Sequence, residues 1–587
     1  MSDIAALVAD NLDIWTGAIQ QKSRGGRSGR KRISLYGIER LRALILDLAV
    51  GGRLVQQDPK DEPAKEALER LSRACAAKVK AGLARKPKSI ASMPDDLAAM
   101  PPGWAWTQLG AIAEISPSNS VGDDAEASFV PMAMISTSIS GEHEAEIRRW
   151  AEIKKGFTHF ADGDLGLAKI TPCFENGKAA IFQNLCNGIG AGTTELHVAR
   201  PWSDDLNRRY ILLTMKTGSF LANGEKQMTG TAGQKRVTRA YFEATPLPFP
   251  PLAEQRRIVS KVDELMALCD ALERESADAL VAHQALVEAL LATLVNSSDA
   301  AGLAANWARL EGHFDTLFTT ELSIGALKQT IIDLAVRGKL LEQDAADEPG
   351  KVLISELNRA AANMEKEGVI AKRKPINFPS NWEPAFALPT GWAWEYFGNY
   401  TAELATGPFG TMIHQSDYVS DGIPLINPSH MVRDKIIEDL SVSLPEEKAA
   451  KLESYKLRAG DIVFARRGEV GRLAVVTERE AGWLCGTGSF RARFASHDLQ
   501  EYLALFFRSR YAREFLGGES VGSTMSNLNH SILNRLPIPI PPLAEQQRIV
   551  ARVDALMALC DALKARLADA AETRRQLADA IVARAAA

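Results

Sequence analysis

Two basic side chains stand at matching places in stretches of this chain that otherwise differ. One stretch reads Asp162-Gly163-Asp164-Leu165-Gly166-Leu167-Ala168-Lys169-Ile170-Thr171-Pro172 and continues to Glu175-Asn176-Gly177-Lys178. The other reads Ala459-Gly460-Asp461-Ile462-Val463-Phe464-Ala465-Arg466-Arg467-Gly468-Glu469-Val470-Gly471-Arg472. Gly-Asp before a short apolar run predicts a turn into a buried strand. Lys169 and Arg466 would then leave their strand ends as cations pointing into a loop. Later in each stretch come Thr229 to Arg236, with Gln234 and Lys235, and Val521 to Asn529, with Ser523, Thr524 and Asn527. Amides, hydroxyls and basic side chains are the groups that contact phosphates and base edges. The candidate nucleic-acid contacts are therefore Lys169, Thr171, Lys178, Gln234, Lys235 and Arg236, and, in the second stretch, Arg466, Arg467, Arg472, Ser523, Thr524, Asn527 and Asn529. Solvated strand ends and plain surface turns are the competing readings.

Bond-making chemistry is not written in the sequence. Gly177-Lys178 has Pro172 where a phosphate loop needs its first glycine. Neither Asn-Pro-Pro-Tyr nor Asp-Pro-Pro-Tyr, the adenine-methylation motifs, occurs. Pro445-Glu446-Glu447-Lys448 resembles the carboxylate-and-lysine end of a nuclease site, but the Ala-Ala-Lys-Leu that follows makes it a helix start. Six cysteines include no C-x-x-C and no histidine at zinc spacing, so neither a metal site nor a disulfide frame is expected.

Charge restricts where a nucleic acid could touch. With 69 basic and 73 acidic residues the chain has no overall basic excess, so contact must be local. Lys22 to Arg32 packs six positive charges into eleven residues, and Lys372-Arg373-Lys374 forms a smaller cluster. The first is read as a flexible solvated loop, with phosphate contact as the alternative. No apolar run reaches a membrane span of about 18 residues and the start lacks a signal-peptide pattern, so the expected location is the cytoplasm.

The elements that would position these loops are duplicated. Pro251 to Glu273 returns 291 positions later as Pro542 to Lys564 with 18 of 23 residues identical. Leu41 to Pro63 returns as Leu327 to Pro349 with 13 of 23 identical, and Pro-x-Gly-Trp-Ala-Trp occurs at 101–106 and 389–394. The intervening stretches, 104–246 and 392–536, scarcely resemble each other. A fixed frame around divergent contents suits a device that reads two different things at a set separation; an old duplication that drifted in its loops is the plainer alternative. Ile258, Val262, Leu265, Cys269 and Leu272, continuing past polar breaks at Ser276 and His283 toward Leu286 and Leu290, like Ile549, Val553, Leu556, Cys560, Leu563, Leu567 and Ala570, alternate steps of four and three, the seam of a coiled coil. Each helix follows a proline-rich exit, with a proline expected at its first position and Glu254 or Glu545 suited to the helix dipole. The seams need partners, and the apolar runs Leu41 to Val50 and Leu327 to Val336 are candidates. If each long helix packs on the short helix that opens the other unit, two globular domains would be held apart by paired helical spacers about a pseudo-twofold axis.

Together the P-L-A-E-Q-x-R-I-V exit, the D-L-A-V-x-G-x-L helix, the P-x-G-W-x-W lead-in and the G-D-x-x-x-A-[KR] strand resemble the specificity subunit of Type I restriction-modification enzymes, from about residue 35 onward. The resemblance implies an α+β chain: two mixed α/β target recognition domains joined by long antiparallel coiled-coil helices with a pseudo-twofold internal repeat. The expected layout is a helical region and linker (1–92), a first recognition domain (93–250), a central spacer and linker (251–379), a second recognition domain (380–541) and a final spacer helix (542–587). It implies a non-catalytic subunit that recognises an asymmetric bipartite double-stranded DNA target and directs adenine methylation and restriction by two methylation subunits and by restriction subunits. S-adenosylmethionine, ATP and magnesium would belong to those partners, with no cofactor, metal or membrane on this chain. Residues 1–34 have no aligned copy. The rival classes are a self-contained nuclease or methyltransferase and a protein-binding coiled-coil scaffold.

Overall fold

A computed structural model describes residues 4–22, 32–231, 233–408, 412–432, 435–466, 472–496, 499–518 and 528–586. Arg467, Ser523, Thr524, Asn527 and the centre of the basic loop, 23–31, lie outside the described residues. The chain divides into two compact units, residues 1–279 with 569–587, and residues 280–568.

Unit one is built on the short helix Tyr36–Val50, whose buried face includes Ile38, Leu41, Leu44, Ile45 and Leu48. The long helix Leu252–Val295 lays Ile258, Val262, Leu265 and Cys269 into the same core, and Ala578 and Val582 of the second long helix, Leu543–Ala586, join it. Arg42 reaches Asp270 and Glu273, while Arg40 pairs with Asp579 at 2.7 Å and the Tyr36 hydroxyl donates to the same carboxylate.

Unit two repeats the plan around the helix Glu321–Val336, against which Ile549, Val553 and Cys560 pack from one long helix and Val287, Leu291 and Leu294 from the other. The packing thus differs from the sequence expectation in one respect. Each short helix takes the N-terminal half of its own long helix as well as the C-terminal part of the other, because its apolar face is broad enough to seat two seams. A further difference lies at the helix starts: the long helix begins at Leu252, and Pro251 precedes it, its carbonyl accepting from the Gln255 N–H. The helix Leu252–Val295 also contains a segment apolar and long enough, by composition, to cross a membrane. This corrects the expectation from sequence, because charged and amide residues scattered along the helix interrupt its apolar run without lowering its mean hydropathy much; in unit two, Val287, Leu291 and Leu294 of this helix are core residues.

The globular part of unit one holds two four-stranded sheets. In one, the strands 113–115, 196–201, 165–168 and 179–181 lie side by side and antiparallel. In the other, 146–149, 126–130, 189–192 and 158–161 are neighbours, with 126–130 and 189–192 parallel. Unit two keeps the first sheet as 403–406, 489–493, 462–465 and 473–475 and reduces the second to three strands. The class is α+β in both.

Candidate nucleic-acid interface

The repeated motifs assemble into a latch. The lead-in strand Ala105–Gln108 pairs with the exit strand Pro246–Phe249, and Ala393–Tyr396 pairs with Pro537–Ile540. The Trp104 indole donates to Glu254 at 3.0 Å, and the Trp392 indole to Glu545 at 2.9 Å. Burial raises the Glu254 carboxyl above its usual range although the indole bond and Arg257 oppose it. The amides of Gln255 and Gln546 donate to the carbonyls of Pro250 and Pro541. Arg257 and Arg548 pair with Asp61 and Asp347, and the hydroxyls of Tyr210 and Tyr502 donate to Pro248 and Pro539. Every polar position of the repeated P-L-A-E-Q-x-R sequence is therefore used to hold a globular domain's two chain ends against its long helix.

The Gly-Asp turns are equally structural. Gly163 and Gly460 have φ of +86° and +84°, a conformation glycine adopts without a Cβ penalty. Asp164, 1% exposed, accepts from the Ala161 N–H and takes a forked pair of bonds from Arg200; Asp461, also 1% exposed, accepts from Arg458 N–H and is forked by Arg493. Burial outweighs the arginine for Asp164 and raises its pKa. The two aspartates tie the turn to the neighbouring strand, so that the next strand ends where it does.

At those strand ends the two domains coincide bond for bond. The Lys169 N–H donates to Glu195 and its carbonyl accepts from Val237; the Arg466 N–H donates to Gly488 and its carbonyl accepts from Leu528. Helix caps follow immediately, Thr238 before Arg239–Ala244 and Asn529 before His530–Asn534. Lys169 and Arg466 are thus equivalent, as their sequence settings suggested, and each meets the segment that precedes its domain's exit.

Around Lys169 the structure gathers Thr171, whose N–H donates to the Lys235 carbonyl, and the exposed Gln234 and Lys235. Arg236 also lies here, but as a forked ion pair with Glu195 at 2.8 and 2.9 Å. That pair holds the Glu195 carboxyl below its usual range and removes one positive charge from the surface. Lys178 points its ammonium at the Met132 carbonyl, 2.8 Å away. Around Arg466 stand Phe490, with the guanidinium 5.8 Å from the ring centroid, and Asn529, whose Oδ1 is occupied as the cap of Ile532. Arg472 donates to the Pro428 carbonyl at 3.3 Å. Asp164 and Asp461 were read in the sequence only as part of the turn into a strand, not as buried partners of Arg200 and Arg493, and nothing local marks Glu195. Among the described residues no group of three or more His, Cys, Asp or Glu side chains could hold a metal ion.

Residues 101–281 and 410–573 match the family model described as Type I restriction modification DNA specificity domain. The chain is 44% identical to the specificity subunit of the Type I restriction enzyme EcoEI of Escherichia coli, over 98% of this chain and 99% of that one. It is 43% identical to the EcoAI specificity subunit of Escherichia coli, again over 98% and 99%. Among solved structures, the HsdS subunit from Thermoanaerobacter tengcongensis is matched at 20% identity with a TM-score of 0.40, over 84% of this chain and 99% of that one.

Proposed function

The chain belongs to the Type I restriction-modification DNA specificity family, whose part is target recognition rather than catalysis, and we propose that it reads an asymmetric, bipartite double-stranded DNA target, one half with each globular domain. The observation that carries this reading is the pair of strand ends at Lys169 and Arg466, held by the same backbone bonds and the same latch but surrounded by different side chains. A shared frame with unlike surfaces is what two unlike half-sequences require.

Two methylation subunits would supply adenine methylation with S-adenosylmethionine, and restriction subunits would cut with ATP and magnesium, all in the cytoplasm where the DNA is. The net charge of −4 supports a shared interface, because phosphate neutralisation dominates affinity and this chain alone brings little of it. The long helices, of 44 residues each, act as the spacers and would run about 66 Å.

Mapping methylated adenines in cells that carry the complete system tests this. Each unit draws on both long helices, so the informative variant inserts four residues near Ala279 and four near Ala568. The insertions add about 6 Å and a residual rotation of about 40°, close to two base-pair steps of about 3.4 Å. We expect both half-sequences to persist and the gap between them to change by one or two base pairs. Methylation at undivided sequences, or altered half-sequences across an unchanged gap, would overturn the reading.

A further inference from the structure

We infer that His530 is a DNA-reading residue of the second domain, forming one reading surface with Arg466. The inference rests on the proposed function and adds a residue to it.

Both side chains lean on the same buried ring. Phe490 is 1% exposed; the Arg466 guanidinium lies 5.8 Å from its centroid and the His530 ring 5.0 Å, tilted by 44°. Their backbones are pinned to one another, since the Leu528 N–H donates to the Arg466 carbonyl and Asn529 caps the turn that His530 opens. An aromatic contact without a carboxylate leaves the cation uncompensated. Arg466 has no ion pair among the described residues, and its Nε is buried without a hydrogen-bond partner.

His530 is solvent-accessible and makes no hydrogen bond among the described residues. Burial of part of the ring, then the Arg466 charge, lowers its pKa. This favours the neutral ring, which carries one donor and one acceptor. A neutral ring releases no counterions from phosphates, the main source of non-specific affinity. It suits a base edge better.

The first domain supports the assignment by contrast. The position after its cap is Arg239, bound to Glu243 at 2.8 Å, and the ring matching Phe490 is His197, paired with Leu167 as Phe490 is with Phe464, and stacked on Phe242 at 5.2 Å. One plan carries two chemistries at the place where the domains must differ.

The test is a methylation map of cells carrying the complete system with His530→Ala, His530→Gln or Arg466→Ala. His530→Ala should leave the first half-sequence intact and reduce discrimination at one position of the second by about tenfold, and His530→Gln, which keeps a donor and an acceptor, should restore part of it. His530→Gln also answers the question if the alanine variant folds poorly. A His530→Ala map identical to wild type beside a changed Arg466→Ala map would overturn the inference and leave the bipartite reading standing. Uniform loss at all sites would overturn it too, and an unchanged map for Arg466→Ala as well would count against the second domain's reading surface altogether.

Discussion

In both units an indole donates to a buried glutamate at the start of a long helix, a glutamine holds a proline carbonyl, and an arginine grips an aspartate. Elsewhere in each domain, the groups around the equivalent strand ends share almost nothing: Glu195 with Arg236 and Lys235 in one domain, Gly488, Phe490 and His530 in the other. The contrast sets the part of each domain that holds its shape apart from the part proposed to meet DNA. The buried groups of the latch are repeated, because any change strands a buried polar atom. The groups proposed to meet DNA, and the part-exposed Glu195–Arg236 pair beside them, are not repeated.

The comparison breaks most visibly if a shared internal pair is removed. Arg493→Met leaves the Asp461 carboxylate buried without its guanidinium and should destabilise the second domain by about 3–5 kcal/mol. Arg200→Met should cost the first domain less, since Arg200 is 25% exposed against 11% for Arg493. Denaturant unfolding of the full chain, with Asp461→Asn added to Arg493→Met to recover part of the loss, checks both.

One internal group should separate the two domains by pH. Lys216, 7% exposed, donates to the Gly177 carbonyl at 2.8 Å, and burial lowers its pKa to about 8. The unfolded chain then holds this proton more tightly than the folded one, so the first domain should gain stability as pH rises from about 8 towards 10.5, by on the order of 3 kcal/mol at most. Lys216→Met should abolish the rise. The matching position of the second domain, six residues after Tyr502 as Lys216 is after Tyr210, is Arg508 rather than a lysine, so no counterpart to the Lys216 rise is expected there.

The latch should show the domains to be alike. Trp104→Phe and Trp392→Phe each remove one donor from a buried glutamate, at a cost of about 1–3 kcal/mol. The two losses should agree to within about 0.5 kcal/mol, and the methylated half-sequences should not change.

What could be read from the sequence follows the same division. Duplicated helices, their seams, the Gly-Asp strands and the equivalence of Lys169 with Arg466 were legible because periodicity and repetition are local signals. The two-seam packing of Tyr36–Val50 and Glu321–Val336 was not, since a helix's apolar face does not say how many partners it seats. Nor was the neutralisation of Arg236 by Glu195, 41 positions away in sequence, or the turning of Lys178 towards Met132. Asn529 looked like a free amide among small polar residues, and only the helix that follows shows its oxygen to be a cap.

The central claim is that Lys169 and Arg466 serve separate readings, and substituting each in turn within the complete system tests it most directly. Methylation maps for Lys169→Met and Arg466→Met should each relax one half-sequence, by about 1–3 kcal/mol of discrimination if the lost contact is to a base, and leave the other as in wild type. Equal change in both half-sequences from either substitution would contradict the account.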